Sequence, residues 1–139
     1  VVLLDVSSKA LKCAKKNAKL NGAKVNFVKS SMFDNVSQKF DLIASNPPYI
    51  ASGDINSLQV EVKKYDPRLA LDGGVDGYDF YKIIATNCAN YLNENGILYL
   101  EIGLNQENYI SKLLEKNFKN ITIIKDLSGI NRFIRAEKC

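Results

Sequence analysis

Short apolar runs alternate with stretches of helical periodicity along the chain. A nearly continuous aliphatic run, Val1 to Val6, predicts a strand that is covered on both faces. The stretch behind it repeats apolar residues every three to four positions, which predicts a helix that Ser7 or Ser8 caps and Asn21-Gly22 ends. The apolar positions of this helix face are Leu11, Ala14 and Ala18.

The alternation continues beyond the first helix. Two more strands are predicted at Lys24 to Val28 and at Phe40 to Ala44, whereas residues 50–76 lack strong periodicity and indicate a long connection. The next helix is predicted to run up to Asn95-Gly96, ahead of a strand at Ile97 to Ile102. Its apolar stripe consists of Phe80, Ile84, Cys88 and Tyr91.

The end of the chain predicts one more helix and a hairpin. The helix is indicated by the apolar spacing of Ile110, Leu113, Leu114 and Phe118. Two apolar runs, Ile121 to Ile124 and Phe133 to Ala136, flank "KDLSGIN" and predict an antiparallel hairpin. Strands that alternate with helices are typical of an α/β protein with a mostly parallel sheet. With 139 residues, 46% of them apolar, the chain is predicted to form one domain over residues 1–139.

Composition narrows the possible chemistry. The net charge of +4 is scattered along the chain, and no polybasic segment indicates binding to nucleic acid or to a membrane. The chain has no histidine and no paired cysteines among its three, so we expect neither a metal site nor a histidine-activated nucleophile. Cysteines without a pairing pattern and the absence of an apolar stretch of about 20 residues favour a cytoplasmic protein. A start inside "VVLLDV" suggests a fragment.

The stretch "SNPPY", Ser45 to Tyr49, carries the clearest chemical signal. Pro47 and Pro48 have no backbone N–H, so they end the strand and leave the carbonyl groups of Asn46 and Pro47 with few local partners. A plain strand-ending loop is the alternative interpretation. A planar amide or aromatic amino group is a poor nucleophile, so an enzyme that alkylates it must bind both of its hydrogens and orient it. The Asn46 side chain and the Pro47 carbonyl can accept those hydrogens, and the Tyr49 ring can stack on the planar group.

Asp5 occupies a second position of interest. It lies at the predicted carboxyl end of the first strand, where open α/β sheets bind ligands and where a carboxylate often accepts hydrogen bonds from a ribose. An Asp directly ahead of a helix can equally be a partner of the helix dipole. The position alone leaves both interpretations open.

These residues resemble a known family. "NPPY" after a strand resembles the motif of methyltransferases that use S-adenosylmethionine to alkylate planar nitrogens, which include adenine and cytosine amino-methyltransferases and protein glutamine methyltransferases. The longer run "NPPYIASGDINSLQVEVKKYDPRLALDGGVDGYDFYKII" resembles the corresponding stretch of the HemK/PrmC family. The resemblance extends to "LEIGLNQ" and "KDLSGINR" and so covers essentially the whole chain.

The resemblance implies a Rossmann-like class I fold and a reaction. A methyl group would pass from S-adenosylmethionine to the side-chain nitrogen of the glutamine in the GGQ loop of peptide chain release factors. Asn46, Pro47, Pro48 and Tyr49 would bind that glutamine, with Asn46, Pro47 and Tyr49 as the catalytic residues. Asp5 would bind the cofactor ribose, Met32 would pack on its adenine, and Asn46 would also face the cofactor.

The resemblance also defines what the sequence lacks. The first strand of the family and its glycine-rich turn have no counterpart, so the chain is predicted to be a partial catalytic domain that binds cofactor weakly or not at all and exposes two apolar strand edges. Those edges are expected to pair directly, or with another copy in an edge-paired or swapped homodimer, or the chain is a portion of a longer one. Two other functions stay open: a nucleic-acid amino-methyltransferase with the same motif, and a non-catalytic module that docks a substrate through residues 50–76. Gly73-Gly74 and Gly77 are interpreted as serving backbone geometry.

Overall fold

The chain folds into two compact units of unequal size. The computed structural model describes all 139 residues, and the units comprise Val1–Gln38 and Lys39–Cys139. The strands are β1 (Val2–Asp5), β2 (Asn26–Lys29), β3 (Phe40–Ser45), β4 (Leu92–Glu101), β5 (Phe118–Lys125) and β6 (Asn131–Lys138). The α-helices are α1 (Ser8–Leu20), α2 (Val60–Tyr65), α3 (Arg68–Leu71), α4 (Asp79–Asn87) and α5 (Glu107–Leu114), with 3-10 turns at Ile55–Ser57 and Cys88–Tyr91.

The first unit is a strand–helix–strand motif. β1 and β2 pair in parallel, from Val2 opposite Asn26 to Asp5 opposite Lys29. α1 connects them and begins as predicted, because the Ser7 hydroxyl accepts the N–H of Ala10 at 3.2 Å. The helix buries Leu11 and ends at the predicted Asn21-Gly22 turn, where Gly22 adopts a φ of +63°.

The second unit contains a four-stranded sheet in the order β3-β4-β6-β5. β3 runs parallel to β4, whereas β6 runs antiparallel to both β4 and β5. The α/β class and the C-terminal hairpin predicted from the apolar runs are therefore confirmed. Side chains from the sheet and from α4 and α5 form the core, and several are almost completely buried: Tyr81, Ile84, Leu98, Leu100, Ile110, Leu114 and Ile134.

Two predicted boundaries are wrong. The helix that was expected to reach Asn95-Gly96 ends at Asn87, and β4 already begins at Leu92. Asn95-Gly96 lies inside β4 as a local irregularity: Asn95 adopts a φ of +57°, and the register between β3 and β4 shifts before regular pairing resumes at Ile97. Phe118, assigned to the last helix, is the first residue of β5. It is buried all the same, so apolar spacing alone could not separate the two assignments.

Each unit presents an edge strand. β1 pairs only with β2, and β3 pairs only with β4. Apolar side chains are exposed on both strands or beside them, including Leu4, Val6 and Leu42. The two predicted edges are thus present, one in each unit. No helix of the chain is both long and apolar enough to cross a bilayer.

Candidate functional site

The tetrapeptide Asn46 to Tyr49 follows directly on β3, which ends at Ser45. Asn46 is exposed, whereas Pro47 is buried. Neither the side-chain amide of Asn46 nor the carbonyl of Pro47 has a hydrogen-bond partner within the chain. Both acceptors predicted from the sequence are therefore unpaired within the chain.

Tyr49 is fixed through its backbone and its ring. Its carbonyl accepts a hydrogen bond from Nε2 of Gln106 at 3.1 Å. The ring lies so close to Gly103 that a Cβ built on this glycine would be 3.0 Å from Cδ2 of Tyr49. The aromatic residue of the motif thus has a defined place against the loop that follows β4.

Two glycines of the long connection pack against the same backbone. A Cβ at Gly73 would lie 2.9 Å from the carbonyl oxygen of Pro48 and 2.9 Å from Cα of Tyr49. Gly77 adopts a φ of +77°, and its Cβ would lie 2.6 Å from the carbonyl oxygen of Tyr49. These positions accept only glycine, which agrees with their interpretation as residues of backbone geometry.

Asp72 ties the two ends of the long connection together. Its carboxylate accepts hydrogen bonds from the Ser52 hydroxyl and from the N–H of Gly74, and it pairs with Arg68 at 3.1 Å. Backbone hydrogen bonds join the same two segments: the N–H of Ile50 donates to the carbonyl of Leu71, and the N–H of Gly73 donates to the carbonyl of Ile50. The Ser52 hydroxyl, the Gly74 N–H and Arg68 lower the pKa of Asp72, in that order of effect.

This carboxylate predicts a dependence of stability on pH. Because the pKa of Asp72 is lower in the folded than in the unfolded chain, its stabilising contribution is complete above the unfolded value of about 3.8 and is lost as the pH falls through the folded value. Asp72→Asn should therefore lower the midpoint of thermal unfolding at pH 7. Below pH 4, the midpoint of the variant should fall less than that of the wild type. A variant whose midpoint differs from the wild type equally at pH 7 and pH 3 would contradict this assignment.

A cavity of about 390 Å³ opens beside Tyr49. Its lining residues are Tyr49, Ile50, Ala51, Asp54, Asp76, Tyr78, Gly103, Leu104, Asn105 and Gln106. Tyr78 packs on Tyr109 with ring centroids 4.5 Å apart, and desolvation followed by the charge of Asp76 raises the pKa of Tyr78. The cavity adjoins the motif and is large enough for a side chain with its flanking backbone.

The other two predicted site residues belong to the first unit. Asp5 ends β1 and is half-buried, and its Oδ1 accepts the N–H of Ser7 at 2.7 Å, whereas Oδ2 has no partner in the chain. Met32 lies in the turn after β2 with a φ of +46°, and its carbonyl accepts a hydrogen bond from the Ser30 hydroxyl at 3.0 Å. One oxygen of Asp5 thus orders the start of α1 and the other is free, so both interpretations of Asp5 have support.

The structure therefore brings together Asn46, Pro47, Pro48 and Tyr49 in the second unit, and it places Asp5 and Met32 in the first. Sequence reasoning missed two residues that contact Tyr49, namely Gly103 and Gln106. Both lie in "LEIGLNQ", which the sequence had singled out only as part of a resemblance. Nothing in its local pattern shows that a glutamine there reaches a residue 57 positions earlier.

Comparison with protein families agrees with the motifs. A family model described as "Methyltransferase small domain" matches residues 1–66. The release factor glutamine methyltransferase of Geobacter sulfurreducens is 41% identical to this chain over 136 residues, which are 96% of the chain and 48% of that protein. That of Fusobacterium nucleatum is 42% identical over 139 residues, covering 97% of the chain and 39% of that protein. The chain thus spans about half the length, or less, of these relatives.

Solved structures show the same fold. A methyltransferase from Pyrococcus furiosus superimposes with a TM-score of 0.72 at 19% identity, covering 99% of this chain and 62% of that one. A 16S rRNA methyltransferase from Thermus thermophilus, solved with AdoMet and guanosine, gives a TM-score of 0.67 at 19% identity over 100% of this chain and 31% of that one. The fold is that of the class I methyltransferases. With identity of about 40% along nearly its whole length, this chain is similar to release factor glutamine methyltransferases, and the "NPPY" motif after β3 agrees with the resemblance to the HemK/PrmC family.

Proposed function

We propose that this chain contributes the acceptor-binding part of a cytoplasmic enzyme that methylates the glutamine side chain in the GGQ loop of peptide chain release factors. The observation that carries the proposal is the pair of unpartnered acceptors at the end of β3, the side chain of Asn46 and the carbonyl of Pro47. The names of the relatives support release factors as the substrates. Three free cysteines are in keeping with a reducing compartment.

The two acceptors fit the chemistry of a primary amide. The nitrogen of a glutamine side chain is a weak nucleophile, because its lone pair is delocalised into the carbonyl group. It carries two hydrogens, and Oδ1 of Asn46 and the carbonyl oxygen of Pro47 can each accept one of them. Binding both hydrogens fixes the rotation and the tilt of the amide, and orientation of this kind can supply several of the roughly 7 to 11 kcal/mol available from positioning.

Tyr49 and the prolines complete the acceptor site. The Tyr49 ring offers a flat apolar surface for the planar amide, and its carbonyl is already held by Gln106. Pro47 and Pro48 fix the backbone that presents the acceptors, because their rings restrict φ. The amide nitrogen becomes acidic only after it gains the methyl group, so the site needs no titrating base and a chain without histidine suits the reaction.

The residues of the first unit fit S-adenosylmethionine as the cofactor. The free Oδ2 of Asp5 lies at the carboxyl end of a parallel strand, where it would accept hydrogen bonds from a ribose, and the half-buried Met32 would pack on an adenine. When bound, the cofactor supplies a methyl group on a sulfonium centre.

Asp5→Asn should weaken cofactor binding about tenfold, as expected when one charge-assisted hydrogen bond is lost. The substitution keeps an oxygen for the N–H of Ser7 but replaces the free acceptor by a donor. Isothermal titration with S-adenosylmethionine measures the change. The matched control is Asp34→Asn. Asp34 lies in the same unit as Asp5, and its exposed carboxylate makes no hydrogen bond within the chain. Equal affinities of Asp5→Asn and the wild type would remove Asp5 from the cofactor site.

Transfer of radiolabelled methyl groups tests the function itself. The substrates are a release factor, the same factor with its loop glutamine replaced by alanine, bulk RNA and bulk DNA. The proposal predicts label on the intact release factor alone. Label on nucleic acid alone would identify an amino-methyltransferase of nucleic acid, and binding of the release factor without transfer would identify a docking module.

A further inference from the structure

Gln106 is one of only two buried polar side chains of the chain, with 9% of its surface exposed. It directly precedes α5, which begins at Glu107. Both ends of its amide are bonded: Oε1 accepts the N–H of Gly103 at 2.9 Å, and Nε2 donates to the carbonyl of Tyr49 at 3.1 Å. A buried amide with both polar atoms satisfied has a single preferred orientation.

Glycines surround this amide. A Cβ at Gly103 would lie 2.7 Å from Oε1 of Gln106, and a Cβ at Gly77 would lie 3.3 Å from Nε2. The same glycines contact Tyr49, since a Cβ at Gly103 would approach its ring and a Cβ at Gly77 its carbonyl oxygen. Gln106 and Tyr49 therefore pack in one cluster, which we call the Tyr49 cluster: Tyr49, Gly77, Gly103 and Gln106.

The two hydrogen bonds of Gln106 act on Tyr49 in complementary ways. The bond to the carbonyl holds the backbone at the end of the "NPPY" motif. The bond to the N–H of Gly103 holds the loop against which the Tyr49 ring packs. One side chain thus holds both the backbone of Tyr49 and the loop beside the Tyr49 ring.

We propose that Gln106 is a positioning residue of the methyl transfer, which sets the Tyr49 ring at the place where the planar acceptor amide stacks. The inference rests on the proposed function of the same site. Gln106 also lines the cavity beside Tyr49, but both polar atoms of its amide are bonded to the protein, so it acts through Tyr49. Its loss therefore lowers turnover while the affinity for cofactor, bound by other residues, stays unchanged.

Two substitutions separate the hydrogen bonds. Gln106→Glu keeps an acceptor for Gly103 but replaces the donor to Tyr49, so two oxygens face each other; Gln106→Met keeps the length of the side chain and removes both bonds. We expect kcat on the release factor to fall about tenfold or more with either variant, because each loses at least the hydrogen bond to the Tyr49 carbonyl. KM and the dissociation constant for S-adenosylmethionine should change less than about twofold.

The pH profile gives a readout that a merely structural role would not move. Burial and the facing Tyr49 carbonyl favour the neutral form of the introduced carboxyl group and outweigh the Gly103 N–H, which favours the charged form; the neutral group regains a donor for the Tyr49 carbonyl. The ratio of kcat for Gln106→Glu to kcat of the wild type should therefore rise about threefold between pH 8 and pH 6, as the carboxyl group gains its proton. The ratio for Gln106→Met should stay constant over this range.

The matched control is Asn117→Asp. Asn117 likewise donates a side-chain hydrogen bond to a distant carbonyl, that of Ala85 at 2.9 Å, but it lies outside the Tyr49 cluster. The Asn117→Asp variant should have a lower free energy of unfolding than the wild type but the same kcat. Amide hydrogen exchange adds a readout independent of activity, because the N–H of Gly103 should exchange faster in Gln106→Met but not in Gln106→Glu.

The outcomes distinguish the two levels of the proposal. If the complete enzyme, of which this chain is proposed to be the acceptor-binding part, transfers no methyl group to any glutamine, the proposed function fails and the positioning role fails with it. If the wild type is active but both Gln106 variants keep its kcat, or if the Gln106→Glu ratio is independent of pH, only the positioning role is overturned. Reduced kcat, constant cofactor affinity and the predicted pH profile together establish it.

Discussion

Replacing Asn46 by alanine should lower kcat for release factor methylation by about 100-fold or more, the scale of losing one oriented polar group at a reacting centre. The side chain of Asn46 is exposed and has no partner within the chain, so its removal breaks no structural bond. It removes one of the two acceptors for the amide hydrogens and lets the nitrogen turn away from the methyl donor. Single-turnover measurements with saturating cofactor report this loss without a contribution from product release.

The control for this prediction is Asn90→Ala, which removes another exposed asparagine side chain that has no hydrogen-bond partner within the chain. Both variants should keep the free energy of unfolding of the wild type within about 0.5 kcal/mol, as surface substitutions usually do. The interpretation of Asn46 would be wrong if the two variants had the same turnover. A large loss of stability in Asn46→Ala would show instead that its side chain supports the fold.

The largest effect on stability is expected for Gly77→Ala, at about 3 kcal/mol of unfolding free energy. Two costs combine at this position. A residue with a Cβ is strained at a φ of +77°, and its Cβ would lie 2.6 Å from the carbonyl oxygen of Tyr49. Because that oxygen belongs to the backbone, the chain must move, and Tyr49 moves with it. Urea unfolding measures this loss of stability. Turnover measured without urea, at a temperature at which the variant is still folded, should be lower than that of the wild type.

Gly129→Ala isolates the first of these costs. Gly129 has a similar φ of +81°, but no heavy atom lies within 4 Å of the position its Cβ would occupy. This control should lose only about 1 kcal/mol, the conformational part, and should keep full turnover. Equal losses in the two alanine variants would mean that the contact between Gly77 and Tyr49 has no energetic consequence.

The order of elements follows from local patterns in the sequence. Ser7 and Asn21-Gly22 delimit α1 because capping depends on groups within one turn of the helix end. The hairpin of β5 and β6 follows likewise from apolar runs that flank a turn. Local patterns failed at Asn95 and Phe118. An asparagine with a positive φ can end a helix or interrupt a strand, and an apolar residue such as Phe118 is buried in either element.

The sequence by itself determined the α/β class, the strand that ends at "NPPY" and the acceptors that this tetrapeptide leaves unpaired, because prolines remove donors wherever they stand. Only the tertiary structure decided how Tyr49 is held. Gln106 lies 57 positions away from Tyr49 in the sequence. Gly73, Gly77 and Gly103 are needed because other segments of the chain approach them too closely to leave room for a Cβ. Such contacts depend on the path of the chain through space, which no local pattern of residues records.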